Sequence, residues 1–270
     1  MSANPYHAIE TGAPGTIGWR IHYFDEVGST QRIAAEMAEQ ESPPGTVVIA
    51  EQQTAGRGRM GRSWHSPPGL NLYATIILRP RMPAPEVPRL SFVAGVAAAE
   101  AIEATVGPGR VALKWPNDIW LAGRKAGGII AEAVADSGGG GLACVLLGIG
   151  LNLNLDADDI PPELRDKATS VRIVTGRRCD RIAIAAALFN RLNTRYMETE
   201  AGGFGAIRPV YDGYLALKGR VVTVIDGASR TTGKVRGIDQ DGALVLEANG
   251  GAVRIVAGDV TVEGAYILIK

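Results

Sequence analysis

The chain is poor in the residues that build metal sites and disulfide scaffolds. It has two cysteines, Cys144 and Cys179, and three histidines, His7, His22 and His65. Neither cysteine belongs to a Cys-x-x-Cys pair, which speaks against a zinc site and a disulfide framework. Cys144 lies in the apolar run Leu142 to Leu147 and reads as a core residue. Net charge is absent too, because 28 Lys and Arg balance 28 Asp and Glu. Proteins that live on DNA or RNA are usually basic, so this balance leaves room only for a local basic patch. Long apolar runs are missing: Leu142 to Leu151 is about half of what a membrane span requires. The N-terminus shows no basic stretch followed by an apolar core, so no secretory signal is visible. The expectation is a cytoplasmic protein with no membrane partner.

What is present describes an ordinary globule. Hydrophobic residues make up 46% and charged residues 21% of 270 residues, enough to bury a core in one large domain plus one small one. Residues 1–18 are rich in Gly, Pro, Ala and Thr and read as a flexible N-terminus. Trp19 to Val27 alternates apolar and polar residues as a strand does. A helix follows to about Gln40, with Ile33, Ala34, Met37 and Ala38 on one face and Ser29 or Thr30 as its cap. Thr46 to Glu51 and Leu72 to Leu78 read as strands around a long loop, 52–70. Pro80 to Pro88 is a proline-rich connection. Arg89 to Thr105 is an alanine-rich helix, apolar almost all round and so buried.

Residues 111–154 read as a meander of antiparallel strands, with a turn through Ala122-Gly123-Arg124-Lys125 and a hairpin tip at Ser137 to Gly141. Asp180 to Glu200 is an amphipathic helix. A second helix covers about Phe204 to Leu217, entered or kinked at Pro209. From Lys218 short strands alternate with glycine turns, the spacing of a small barrel. The domain boundary is placed near 217, giving domains at 19–217 and 218–270. Strands and helices mix without a regular βαβ rhythm, which favours α+β.

Within the long loop stands Gly56-Arg57-Gly58-Arg59-Met60-Gly61-Arg62, followed by Ser63-Trp64. Arginine offers a permanently charged, planar fork of donors that suits carboxylates and phosphates. Glycine lets backbone approach a ligand closely. The combination reads as a mobile loop that closes over an anion. Four further short strings accompany it: Gly28-Ser29-Thr30-Gln31, Lys114-Trp115-Pro116-Asn117-Asp118, Arg124-Lys125-Ala126-Gly127-Gly128-Ile129 and Gly148-Ile149-Gly150-Leu151-Asn152. Gln53 precedes the arginine loop, and His65 follows it as a weak candidate for phosphate contact.

In this order, and with a small β domain behind them, the strings resemble those of the biotin protein ligases, also called biotin–[acetyl-CoA-carboxylase] ligases. The resemblance runs from about residue 20 to the end. It implies a catalytic domain similar to the class II aminoacyl-tRNA synthetase core, with a mixed, antiparallel-rich sheet, and a C-terminal SH3-like barrel. It implies ATP-dependent formation of biotinyl-5′-AMP, then transfer of biotin to a lysine of a biotin carboxyl carrier domain of a biotin-dependent carboxylase. Two alternatives stay open: a lipoate or octanoyl ligase on the same scaffold, and a non-catalytic biotin or nucleotide sensor. Only about 18 residues precede the first strand, too few for the DNA-binding domain of many bacterial members, so a monofunctional ligase without DNA is expected.

Roles follow from the same resemblance. Arg57 and Arg59 fold over biotin and the bridging phosphate, with Gly56 and Gly58 allowing close approach. Lys125 contacts the activated carboxyl and the α-phosphate. Asp118 orients or deprotonates the acceptor lysine, or else caps a turn. Ser29, Thr30 and Gln53 hold the polar end of biotin, whose ureido ring needs donors and an acceptor. Gln31 stands where the family usually has Asn. Gly127 and Gly128 make room for the ligand. Trp64 stacks on adenine or anchors the loop. Arg62, Asn117 and Asn152 lie near the nucleotide. Mg²⁺ rides mainly on the phosphates, since no carboxylate cage is visible. The apolar hairpin at 126–153 offers a sheet edge for a homodimer, and a paired, buried edge fits equally.

Overall fold

The apolar and β-branched segments pair into a seven-stranded sheet. A computed structural model describes residues 4–9, 17–136, 141–227, 229–248 and 250–261. In chain order the strands are β1 (Arg20–Val27), β2 (Thr46–Gln53), β3 (Leu72–Leu78), β4 (Val111–Lys114), β5 (Asp118–Leu121), β6 (Arg124–Ala135) and β7 (Leu142–Leu151). Their spatial order is β1-β2-β3-β7-β6-β5-β4. Only β1 and β2 run parallel. A parallel pair needs a crossover, and helix α1 (Thr30–Glu39) supplies it. The other pairs are antiparallel, as the meander predicts.

Helices cover both faces. Helices α2 (Leu90–Val106) and α4 (Arg181–Gly202) lie over one face, where Val47, Ile49, Ala74, Ile76, Ile129, Leu147 and Ile149 join the main core. On the other face α1 buries Ala34 against Val48, Ile77, Cys144 and Leu146. This second cover explains why every residue of β3 is buried, although its sequence alternates. The apolar surround of α2 is buried as expected, and Cys144 is a core residue.

Several expectations are corrected. In the segment expected to be flexible, Tyr6 and Ile9 are buried in the main core, and Tyr6 packs on Tyr23 at 6.0 Å between ring centroids. The turn expected over Ala122 to Lys125 is two residues long: Ala122 and Gly123 both have positive φ, at 47° and 78°. Such a turn matches the twist of a hairpin, and it places Lys125 inside β6. The helix expected over 204–217 is a 3-10 turn, Phe204–Ala206, and then α5 (Arg208–Tyr214) with Pro209 in its first turn. It stops because Leu215 turns extended and bridges Leu113 at the sheet edge. A short helix α3 (Val171–Thr175) escaped the sequence reading. The hairpin tip expected at Ser137 to Gly141 lies outside the described residues except for Gly141. Strand β7 is flanked by β3 and β6, whereas β5 pairs β6 from Arg124 as far as Gly128. A dimer edge over 126–153 is therefore confined to the outer side of β6 beyond that point.

The C-terminal strands form a separate antiparallel sheet, as expected. They are β8 (Val221–Asp226), β9 (Ser229–Ile238), β10 (Leu244–Ala248), β11 (Gly251–Ile255) and β12 (Asp259–Thr261), in the order β11-β10-β9-β8-β12. Strand β12, unforeseen in the sequence, returns to pair with β8. This sheet is fastened to the larger one at a few defined places. The indole of Trp115 donates to the carbonyl of Gly242 at 2.9 Å. Gly242 has φ of +85°, and a Cβ there would stand 2.8 Å from the Phe92 ring. Arg89 pairs with Asp241 at 3.1 Å.

Candidate functional site

The sheet face covered by α1 goes bare beyond that helix's N-terminus. The pairing puts Gly128 of β6 directly opposite Gly150 of β7, and Gly148 lies two residues along the same face. Without side chains these positions form a smooth floor. The loop of residues 54–70 folds over it. The Trp64 indole lies flat on the floor: a Cβ on Gly150 would come within 2.8 Å of it, and one on Gly128 within 3.2 Å. The result is a cleft open to solvent.

Its inner end is an uncharged polar set at the start of α1. Ser29 occupies the N-cap position, yet its side chain makes no capping bond, although Ser29 or Thr30 was expected to cap. Both the backbone N–H and the hydroxyl of Thr30 donate to Gln53 Oε1, at 2.9 and 3.1 Å. Gln53 donates in turn to Ser66 Oγ at 3.0 Å. The Thr75 hydroxyl lies 2.9 Å from both Thr30 Oγ1 and Gln31 Oε1. Gln31 is buried, and its amide donates to Glu132 at 3.1 Å and to the Leu146 carbonyl at 3.2 Å. Its amide is therefore satisfied by protein groups, while its Oε1 borders the floor beside Gly148.

The outer end is cationic. Among the described residues Arg57, Arg59 and Lys125 line the cleft, and no carboxylate does. Among the described residues Arg57 makes no ion pair. Arg59 donates to Asn117 Oδ1 at 2.9 Å, and Asn117 donates to the Ile129 carbonyl at 2.8 Å. Lys125 Nζ lies 2.6 Å from Asp118 Oδ1 and 5.4 Å from the Trp64 ring centroid. The arginine loop is closed on itself: Gly58 N–H donates to the Arg62 carbonyl at 2.6 Å and Trp64 N–H to that of Gly56 at 2.8 Å. Met60, at its tip, is exposed with φ of 56°.

Most of the expected site residues meet here. Ser29, Thr30, Gln31, Gln53, Arg57, Gly58, Arg59, Trp64, Asn117, Lys125 and Gly128 line the cleft. Arg62 and Asp118 line an adjoining chamber on the side of the C-terminal sheet, and Arg62 is ion-paired with Asp259. Four residues stay outside. Gly127 points to the opposite face, where a Cβ would press on Leu151 and Ile119. Gly56 packs against Trp64 O and Ser66. Asn152 holds the carbonyl of Thr169 at 3.1 Å. His65 turns to the carbonyl of Asp159. Thr75, Gly148, Gly150, Lys114 and Asp259 are additional residues of the two chambers. A lone threonine in an apolar strand and glycines spaced i, i+2 are signals that point to the first three; Asp259 carries none. Among the described residues no three His, Cys, Asp or Glu cluster to hold a metal.

Comparison with known proteins agrees with this geometry. Residues 23–152 match the biotin/lipoate A/B protein ligase family, and residues 219–262 match the biotin protein ligase C-terminal domain. The bifunctional ligase/repressor BirA of Bacillus spizizenii is 37% identical over 90% of this chain and 74% of its own. The biotin--[acetyl-CoA-carboxylase] ligase of Paracoccus denitrificans is 36% identical over 79% of this chain and 88% of its own. The biotin protein ligase from Aquifex aeolicus, solved with biotin and ATP, superposes with a TM-score of 0.77 at 28% identity, covering 90% of this chain and 97% of that one. A mixed sheet with a glycine-floored cleft under an arginine loop, joined to a small antiparallel sheet, is the build of a ligase that activates an acid. The chain belongs to the biotin protein ligase family.

Proposed function

We infer that the protein activates biotin with ATP and ligates it to a lysine of a biotin carboxyl carrier domain, through biotinyl-5′-AMP. The observation that carries this reading is the cleft lining: among the described residues, three cations and no carboxylate at one end, uncharged donors and acceptors at the other. The first step drives biotin's carboxylate oxygen onto the α-phosphorus of ATP, and pyrophosphate leaves. Two unit charges 4 Å apart repel by about 4 kcal/mol at an effective dielectric of 20. Arg57, Arg59 and Lys125 offset that repulsion and hold the reacting atoms in line. Ser29, Thr30 and Gln53, with Thr75, face the ureido ring, beside the floor of Gly128 and Gly150 on which the Trp64 indole rests. Trp64 covers the ligand from the loop side and stacks on adenine.

In the second step a carrier lysine amine attacks the carbonyl carbon of the mixed anhydride, and AMP departs. The amine must lose a proton, and Asp118, ion-paired with Lys125, orients it and takes that proton. The two carboxylates beside the outer chamber, Asp118 and Asp259, are both engaged by cations. That donor set fits a Mg²⁺ ion carried by the phosphates, where it would neutralise developing charge. The reading places the catalytic domain at 19–217 and the C-terminal domain at 218–270.

The family model also covers lipoate ligases. A linear acyl chain would desolvate the Ser29 hydroxyl, which makes no capping bond, without pairing it, at about 1–3 kcal/mol. The test is incubation of the protein with ATP, Mg²⁺, a biotin carrier domain and either biotin or lipoate, followed by mass analysis of the carrier. A biotinylated lysine is expected. Lipoate transfer in its place would overturn the substrate, and tight biotin binding without transfer would point to a sensor.

A further inference from the structure

The arginine loop ends in a small hairpin. Arg57 and Ser63 form an antiparallel bridge. Gly58 N–H donates to the Arg62 carbonyl at 2.6 Å, and Arg62 N–H closes the turn on the Arg59 carbonyl at 3.2 Å. Met60 and Gly61 are the two central residues of that turn, and both have positive φ, 56° and 74°. Such turns favour Asn, Asp or Gly at the first central position, because a left-handed backbone crowds a Cβ. For folding alone, methionine is a poor choice there.

No packing offsets that choice. Met60 is 76% exposed, while Leu164 and Met197, the next most exposed large apolar side chains of the catalytic domain among the described residues, stand at 38%. A left-handed residue with a bulky, solvated side chain on a functional loop points to a task for that side chain. The thioether is flexible and polarizable, so it moulds to apolar surfaces of varied shape. Arg57 and Arg62, both exposed, stand on either side of it. An apolar anchor with a charged rim, held on a hydrogen-bonded turn, is the build of a contact with another protein.

The position of the tip says which protein. Met60 follows Arg59, which lines the cleft, and itself borders the adjoining chamber. Biotin and ATP pass beneath the loop. A protein that offers a lysine to the anhydride between Arg59 and Lys125 stays outside and must cover the exposed tip. We propose that Met60 is a docking residue for the acceptor domain, seated on an apolar spot beside the target lysine and fixing the approach of its amine. The proposal rests on the reading of the protein as a ligase that acylates a carrier lysine. Met60 touches neither biotin nor ATP, so it acts in the second half-reaction alone, through the KM for the carrier.

The experiment uses the full chain and two variants. Met60→Asn gives the turn a residue its backbone favours and removes the apolar contact. Met60→Leu keeps the apolar bulk. Transfer from preformed biotinyl-AMP is followed over a range of carrier-domain concentrations. Met60→Asn is expected to raise the KM for the carrier roughly 5- to 20-fold, the value of burying most of one apolar side chain. Met60→Leu should stay within about threefold of native. Capture of the same intermediate by hydroxylamine needs no docking, and it should stay within about twofold of native, as should pyrophosphate release in the first half-reaction. Met60→Asn should melt no lower than the native protein, because the turn is relieved. An unchanged KM for the carrier in Met60→Asn overturns the contact. Equal slowing of the hydroxylamine reaction or of pyrophosphate release overturns it too, because Met60 would then act on the small ligands. If the native protein transfers lipoate to a lipoyl domain with the same dependence on Met60, the contact stands and the biotin reading falls. No acyl transfer to either domain overturns the ligase reading and the contact with it.

Discussion

At the scale of single residues, the site pairs bare positions with charged ones. Arg59 reaches Asn117 through one arm of its guanidinium, leaving the rest of the fork for an anion. Arg59→Ala is expected to slow biotinyl-AMP formation roughly 10²- to 10³-fold. Arg59→Lys should recover little, since a point charge does not replace the fork. Single-turnover assays of pyrophosphate release read both. Gly150→Ala would push a methyl group into the Trp64 indole, which stands 2.8 Å away. The expected result is a rise in KM for biotin of roughly tenfold with a loss of less than about 1 kcal/mol of stability. Desolvation lowers the pKa of Lys114, so the folded protein disfavours its charge relative to the unfolded chain. Lys114→Met, which removes that charge, should raise the melting temperature.

At the scale of elements, α1 and the arginine loop carry the chemistry. A serine at an N-cap normally stabilises its helix, and its loss costs about 0.5–2 kcal/mol. Ser29 makes no such bond. Ser29→Ala is therefore expected to change stability by less than about 0.5 kcal/mol, below the usual cap effect, while weakening biotin binding. Urea unfolding beside a biotin titration separates the two. The arginine loop is held by a few backbone bonds, by the Trp64 ring and by the Arg62–Asp259 pair. Segments with so few apolar contacts open readily. Limited proteolysis should cut at Arg57, Arg59 or Arg62, and biotin with ATP should suppress it. Cleavage unaffected by both ligands would mean that the loop does not close over them.

At the scale of the whole molecule, the C-terminal sheet is part of the site's wall. Trp115 ties the turn that bears Asn117 and Asp118 to Gly242. Trp115→Phe keeps most of the packing and removes that bond. It should cost about 0.5–1.5 kcal/mol in urea unfolding and lower the adenylation rate beyond what the lost stability explains. No helix among the described residues is long and apolar enough to cross a membrane, in line with the short apolar runs of the sequence.

Much of this was written into the chain locally. The alternation in Trp19–Val27, the all-apolar stretch of α2, the meander and the glycine-punctuated C-terminal strands each reflect a period of two or 3.6 residues. The strings around Arg57, Asn117, Lys125 and Gly148 were legible because glycine and arginine are needed there for what only they can do. What neighbours along the chain could not reveal was the outcome of long-range pairing. Register decided that Gly128 faces the cleft and Gly127 the core, since adjacent residues of a strand point to opposite sides. Double cover by α1 and α2 buried both faces of β3. The core drew in Tyr6 and Ile9 from an otherwise polar segment. Asp259 reached Arg62 only because β12 returned to β8. Sequence determined the elements and the reactive groups, through local periodicity and side-chain chemistry. Tertiary structure decided which of those groups share a cavity, because that depends on contacts between segments well separated along the chain.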